Sequence, residues 1–155
     1  MKNVVSTFLA VIFIYYSTAN SKAVELEPLD KYLSKHSLDD PSSAGYVALR
    51  CSALYLWIAN LLQNTRNDSQ ELSDQFFADS QILVIASGKL MSINGGKSLT
   101  EQTEANIDLM VKLNQMYSEP SQEHYVATGQ YITPVMKVDM DVCKEASYVI
   151  VNYSQ

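Results

Sequence analysis

Few residues in this chain carry reactive or ligating chemistry, and they lie far apart. Cys51 and Cys143 are its two cysteines. In an oxidising compartment such a pair either forms one bridge or remains as two thiols, and the bridge is the expected outcome. It would close a loop of about 92 residues, for which chain entropy alone gives roughly 4–5 kcal/mol. A thiol-exchange role is disfavoured, because the sequence has no C-x-x-C pair to lower a thiol pKa.

The remaining candidates weaken under the same treatment. Gly95-Gly96-Lys97-Ser98 resembles the end of a phosphate-binding loop. That loop needs a glycine where Met91 stands and a strand before it, so a turn between helices explains the tetrapeptide better. The two histidines, His36 and His124, have acidic neighbours but no ligand spacing such as H-x₃-H, so no metal is expected. No Ser sits in a G-x-S-x-G elbow, and no C-x-x-C-H haem attachment is present. Neither a cofactor nor a catalytic residue is therefore assigned.

Three arrangements keep a specific meaning. Asp139, Asp141 and Glu145 offer carboxylates near the last helix, but their spacing favours a solvated face over an acid–base pair. If Cys51 and Cys143 are bridged, Arg50 comes close to Asp139, which lies one turn before Cys143. An Arg50–Asp139 ion pair would then satisfy the one charge of an otherwise apolar helix. Tyr125 and Tyr131 flank Gly129 on a connection before Pro134; they either form a contact surface or plug the end of the domain.

The first residues indicate where such a protein works. Lys2 precedes an apolar run from Val4 to Tyr16, followed by the small, polar stretch 17–23. This is the pattern of a cleaved signal peptide spanning 1–23, with Ala19 as an alternative cut. An uncleaved anchor is the competing reading, although the run is shorter than the roughly 20 residues a spanning helix needs. The whole chain carries a net charge of −6. Removal of 1–23 takes Lys2 and Lys22 and leaves nine Lys+Arg against seventeen Asp+Glu, a net −8. That sign disfavours nucleic acid and anionic membrane surfaces as partners. The remaining 132 residues suffice for one domain. Two N-x-S sequons, at Asn67 and Asn152, matter only if the source is eukaryotic.

The elements that must position these residues read as helices. Residues 24–40 form an N-terminal segment with a short helix from Pro28 to about His36, on the i, i+3, i+4 spacing of Leu29, Tyr32 and Leu33. Asp40 then caps a helix that Pro41 opens. Fourteen of the seventeen residues from Tyr46 to Leu62 are apolar, which suits a central helix; a membrane span is disfavoured by Arg50 and Asn60. Asp68 and Glu71 predict the start of the next helix, whose apolar set is Leu72, Phe76, Phe77, Ile82, Leu83, Ile85, Ala86 and Leu90. Gly95-Gly96 ends it. Ser98 and Glu101 open a third long helix that stops near Tyr117, before Pro120, with a short helix at 121–128. Pro134 opens the last helix, although Tyr148-Val149-Ile150-Val151 also fits a strand.

The expected fold is all-α: a single-domain bundle of four to five helices over 41–155. The expected function is that of a small exported accessory or binding protein, periplasmic or extracellular, acting through contact with another protein. The alternative is a carrier of a small apolar ligand or lipid, held between helices near Trp57, Phe76, Phe77 and methionines.

Overall fold

The computed structural model of the chain describes residues 26–65 and 69–153. The leader at 1–23 and the Asp68 cap lie outside them. Among the described residues the chain is all-α, with five helices and no strand: α1 (Leu29–Leu33), α2 (Pro41–Thr65), α3 (Gln70–Gly95), α4 (Leu99–Thr128) and α5 (Pro134–Tyr153). The ambiguous run at 148–151 is helical, as the last turns of α5.

The helix ends follow local chemistry. The Asp40 carboxylate accepts from the Ser43 backbone N–H at 2.8 Å, satisfying one of the free donors at the start of α2. Ser98 and Glu101 form a reciprocal capping box at the start of α4. The α3 and α4 helices end on Gly96 and Gly129, whose φ of 65° and 75° lie in the left-handed region that glycine adopts without a steric cost.

Two expectations are corrected. The first is the stop near Tyr117, since α4 runs unbroken through Pro120 to Thr128. A proline inside a helix removes one hydrogen bond and crowds the carbonyl four residues back, at about 3 kcal/mol or more. Here Pro120 faces solvent while Tyr117 and Ser121, on either side of it, are buried. The Ser121 hydroxyl also donates to the Tyr131 carbonyl at 2.6 Å. Packing on the inner face holds the helix together where its own backbone is weakened.

The second is the inner face of α3. Leu83, Ala86 and Leu90 are buried, but Leu72, Phe77, Ile82 and Ile85 are 45–49% exposed. The face turned to α2 is instead built on Ser73, Ser80 and Ser87, each seven residues from the next and each buried. Their hydroxyls donate to the main-chain carbonyls of Ala59, Ser52 and Gly45 at 2.9, 2.9 and 2.7 Å. The Ser52 hydroxyl returns a bond to the Ser80 carbonyl at 2.8 Å. Seven residues up one helix answer seven residues down the other, so α2 and α3 are antiparallel and in register over their length. Only small residues let two helix backbones come close enough for such bonds, so the larger apolar side chains of α3 stand elsewhere on its surface. At the next interface, a Cβ on Gly88 would fall 3.2 Å from Thr103 Cβ and 3.3 Å from Thr103 Cα, so glycine sets the approach of α3 to α4.

The α2 helix touches α3, α4 and α5 and is the centre of the molecule. Val47, Leu49, Leu54, Leu83, Leu113, Met136 and Ile150 form the shared core, which Leu26 and Leu29 of the N-terminal segment also enter.

Candidate functional site

The one cationic side chain of α2 lies within this core. Arg50 is 1% exposed, Asp139 of α5 is fully buried, and Tyr117 of α4 completes the cluster at 2%. Arg50 Nη2 forms a short ion pair with Asp139 Oδ2. Arg50 Nε donates to Tyr117 Oη at 2.9 Å, and Tyr117 Oη donates onward to Asp139 Oδ2 at 2.5 Å. The second guanidinium nitrogen, Nη1, reaches the Glu27 carbonyl and Tyr46 Oη, each at 3.2 Å. The remaining carboxylate oxygen, Asp139 Oδ1, accepts from the Leu29 backbone N–H at 2.7 Å, at the start of α1. Four helices therefore meet on one charged pair.

Burial alone disfavours the Arg50 charge. The Tyr117 and Asp139 oxygens facing it, with the hydrogen bond to Tyr46, more than offset that, so its pKa lies above its ordinary value. Burial raises the Tyr117 phenol; Arg50 opposes that shift and Asp139 adds to it, and the phenol stays well above its usual range. Among the described residues no buried side-chain nitrogen or oxygen lacks a partner. Both Asp139 oxygens are engaged, and Arg50, Tyr117 and Asp139 are closed to solvent at the centre of the packed helices. The cluster joins helices.

The bridge lies one turn from this pair. Cys51 and Cys143 have Sγ atoms 2.05 Å apart and Cα atoms 5.4 Å apart, tying α2 to α5. Asp139 and Cys143 share one face of α5, as their spacing implies, whereas Asp141 and Glu145 are exposed. The solvated-face reading therefore fits Asp141 and Glu145 but not Asp139, which the i, i+4 register with Cys143 carries inward.

Tyr125 and Tyr131 are brought together in a parallel stack, ring centroids 4.1 Å apart and planes 6° from one another. The Ser121–Tyr131 bond and the Gly129 turn fix the loop that carries Tyr131. Tyr125 is 43% exposed and Tyr131 half-buried, so the stack reaches the surface on its Tyr125 side, with Val126 next along α4 at 88%. His36 stacks on Tyr32 at 4.3 Å, on the far side of the sequence from His124 on α4. No group of three His, Cys, Asp or Glu that could hold a metal ion occurs among the described residues.

Sequence reasoning missed Tyr117, Tyr46 and the two main-chain groups at Glu27 and Leu29. Tyr46 had a signal, since it precedes Arg50 by one helical turn. Tyr117 ends the row Ile107, Met110, Val111, Asn114 and Tyr117 on which the third helix is expected to pack. It is buried as that row implies, whereas Ile107 and Val111 are exposed, and nothing local marks its hydroxyl as a partner of Arg50. Trp57 and Phe77, offered as walls of one apolar pocket, line separate depressions, and Phe76 packs edge-on against Tyr55 with centroids 5.4 Å apart. Compared with protein-family models, with curated proteins and with solved structures, the chain matches none.

Proposed function

We propose that this chain is a small exported helical-bundle protein that binds rather than catalyses, acting by contact with a protein partner. The signal-peptide pattern of residues 1–23 supports export, and a cysteine pair at bonding distance is compatible with an oxidising compartment. A binding role is supported by where the functional groups lie: the buried charges saturate one another, while recognition-type side chains face outward. The observation that carries the reading is the Tyr125–Tyr131 stack with the exposed Val126 beside it. Paired rings, one held on α4 and one on the loop that follows it, lose little conformational freedom on binding, which is what makes tyrosine effective at interfaces.

The test is capture from an envelope extract on immobilised protein, comparing wild type with Tyr125→Ala. The expected result is a reproducible partner that Tyr125→Ala loses while its thermal transition stays in place. Equal recovery on both columns, or co-purified lipid alone, refutes the reading. A second reading, the apolar-ligand carrier, draws support from a cleft of about 260 Å³ between α4 and α5 lined by Met116, Pro120, Val135 and Met136. Bound lipid released by organic extraction and lost in Val135→Asp would favour it over a protein partner.

A further inference from the structure

A second cleft, of about 300 Å³, opens between α2 and α4. From α2 it takes Trp57, Asn60, Leu61 and Asn64, which share one face at i, i+3, i+4 and i+7. From α4 it takes Asn114, Ser118 and Gln122, a row stepped by single turns, and Tyr131 closes one side. Among the described residues no Asp, Glu, Lys or Arg lines it, in a chain with 17 acidic and 11 basic residues. Four carboxamides and two hydroxyls from Ser118 and Ser121 stand around Leu61, the half-buried Tyr131 and Trp57, which is 6% exposed.

Two of those carboxamides are held in place by the backbone. The Asn114 amide donates to the Ala53 carbonyl at 3.1 Å, and that of Asn64 to the Asn60 carbonyl at 2.7 Å. Each fixed carboxamide keeps an oxygen with two lone pairs, and each free one offers both donors and acceptors. A ligand matched to this lining is uncharged, since any ion would lose hydration without gaining a counter-charge. Its polar groups donate and accept at once, as hydroxyls do, and it presents an apolar C–H face to Leu61 and Tyr131. The volume lies at the small end of ligand pockets. We infer that this cleft binds a neutral polyhydroxylated ligand, a single sugar ring either free or at the end of a glycan. A peptide segment fits less well, because its amides recur along a line and need a longer groove than the span from Trp57 to Asn64 gives.

Trp57 is the only tryptophan in the chain and lies between this cleft and the core, so its fluorescence follows occupancy of the cleft while the thermal transition is unchanged. The purified protein would be titrated with glucose, galactose and N-acetylglucosamine, with a linear glucose oligomer as the glycan arm. Glucuronate, glucosamine and a capped dipeptide are the contrasting probes. The expected result is a saturable change in Trp57 emission with at least one neutral sugar or the oligomer, weakened about tenfold in Asn60→Ala/Gln122→Ala, where two neutral hydrogen bonds are lost. Asn60 and Gln122 are exposed, so that variant keeps its thermal transition. Response to the monosaccharide marks a free ligand, and response to the oligomer alone marks a glycan end. No saturable change with any neutral sugar, an undiminished response in the double variant, or preference for a charged probe or the dipeptide overturns the inference. Tyr131 belongs to both surfaces, so the control is Val126→Ala, at an 88% exposed residue outside the cleft lining, which leaves the sugar response intact.

Discussion

Asp139→Ala tests the reasoning about the core most severely. The substitution removes the counter-charge of Arg50, the acceptor of the Tyr117 hydroxyl and the acceptor of the Leu29 N–H. Arg50, 1% exposed in the intact protein, is left with only the neutral oxygens of Tyr117, Tyr46 and Glu27 around its charge. Breaking a buried pair on one side costs about 3–5 kcal/mol. The Leu29 and Tyr117 bonds overlap that figure rather than adding to it, since they converge on the same carboxylate. Against a typical total stability of roughly 5–15 kcal/mol, the variant is close to unfolding. For a domain of this size the loss corresponds to a thermal midpoint lower by about 10–20 °C.

Urea and thermal melts followed by far-ultraviolet circular dichroism give the magnitude, and amide hydrogen exchange gives the place. The Leu29 amide should lose its protection before the global transition, because its acceptor has gone. Replacing both partners with apolar residues, Arg50→Met/Asp139→Leu, should restore most of the stability, since the desolvation cost leaves with the charges. A loss under about 1 kcal/mol in Asp139→Ala would refute the account of a closed, mutually dependent cluster. So would a double variant as unstable as the single one.

The remaining predictions concern the bridge, the alkaline limb and the helix contacts. Cys51→Ser/Cys143→Ser should lose about 4–5 kcal/mol by the loop-entropy estimate for a separation of 92 residues, read as a lower urea midpoint that reductant reproduces in the wild type. Tyr117 has a folded pKa raised above its unfolded value, so it binds its proton more tightly when folded. Its contribution is full below the unfolded value of about 10 and is lost as pH rises beyond it. Stability measured from pH 8 upward should therefore fall more steeply in the wild type than in Tyr117→Phe; parallel curves would contradict the burial of that phenol. Gly88→Val places branched carbon against Thr103 and should cost about 1–3 kcal/mol by overpacking in chemical melts, even though glycine is the poorer helix former.

What the sequence disclosed, and what it hid, follow from how directly local chemistry fixes each feature. Helix starts and stops at Asp40, Ser98, Gly96 and Gly129 are decided by side chains within four residues of the boundary, so a linear reading finds them. The placement of Arg50 beside Asp139 follows from the cysteine pair by helix geometry alone. The continuation of α4 through Pro120 depends on tertiary burial of Tyr117 and Ser121, which no local rule contains. The inner face of α3 was hidden for a different reason. Hydrophobic periodicity assumes that the buried face is the apolar one, but a close helix pair selects for size. The i, i+7 repeat of Ser73, Ser80 and Ser87 is visible in the chain, opposite Gly45, Ser52 and Ala59, yet it scores as polar and so as exposed.

That inversion also explains why α2 and α3 are both long and apolar enough to resemble membrane spans. In α2 the apolar residues are needed because the helix is surrounded, two thirds of its most apolar stretch being buried, and its single charge is met by Asp139. In α3 only 39% of the corresponding stretch is buried, because the serines occupy the contact and displace Ile82, Ile85 and Ile93 to the outside. The same average hydropathy thus arises from two opposite arrangements. Asp139 then has a double part in the fold. A five-residue helix such as α1 is too short to persist by its own hydrogen bonds. The carboxylate that neutralises Arg50 also accepts the first free N–H of α1, where negative charge is favoured by the helix dipole. With Leu29 fully buried beneath it, one side chain of α5 therefore fixes both the central helix and the beginning of the described chain.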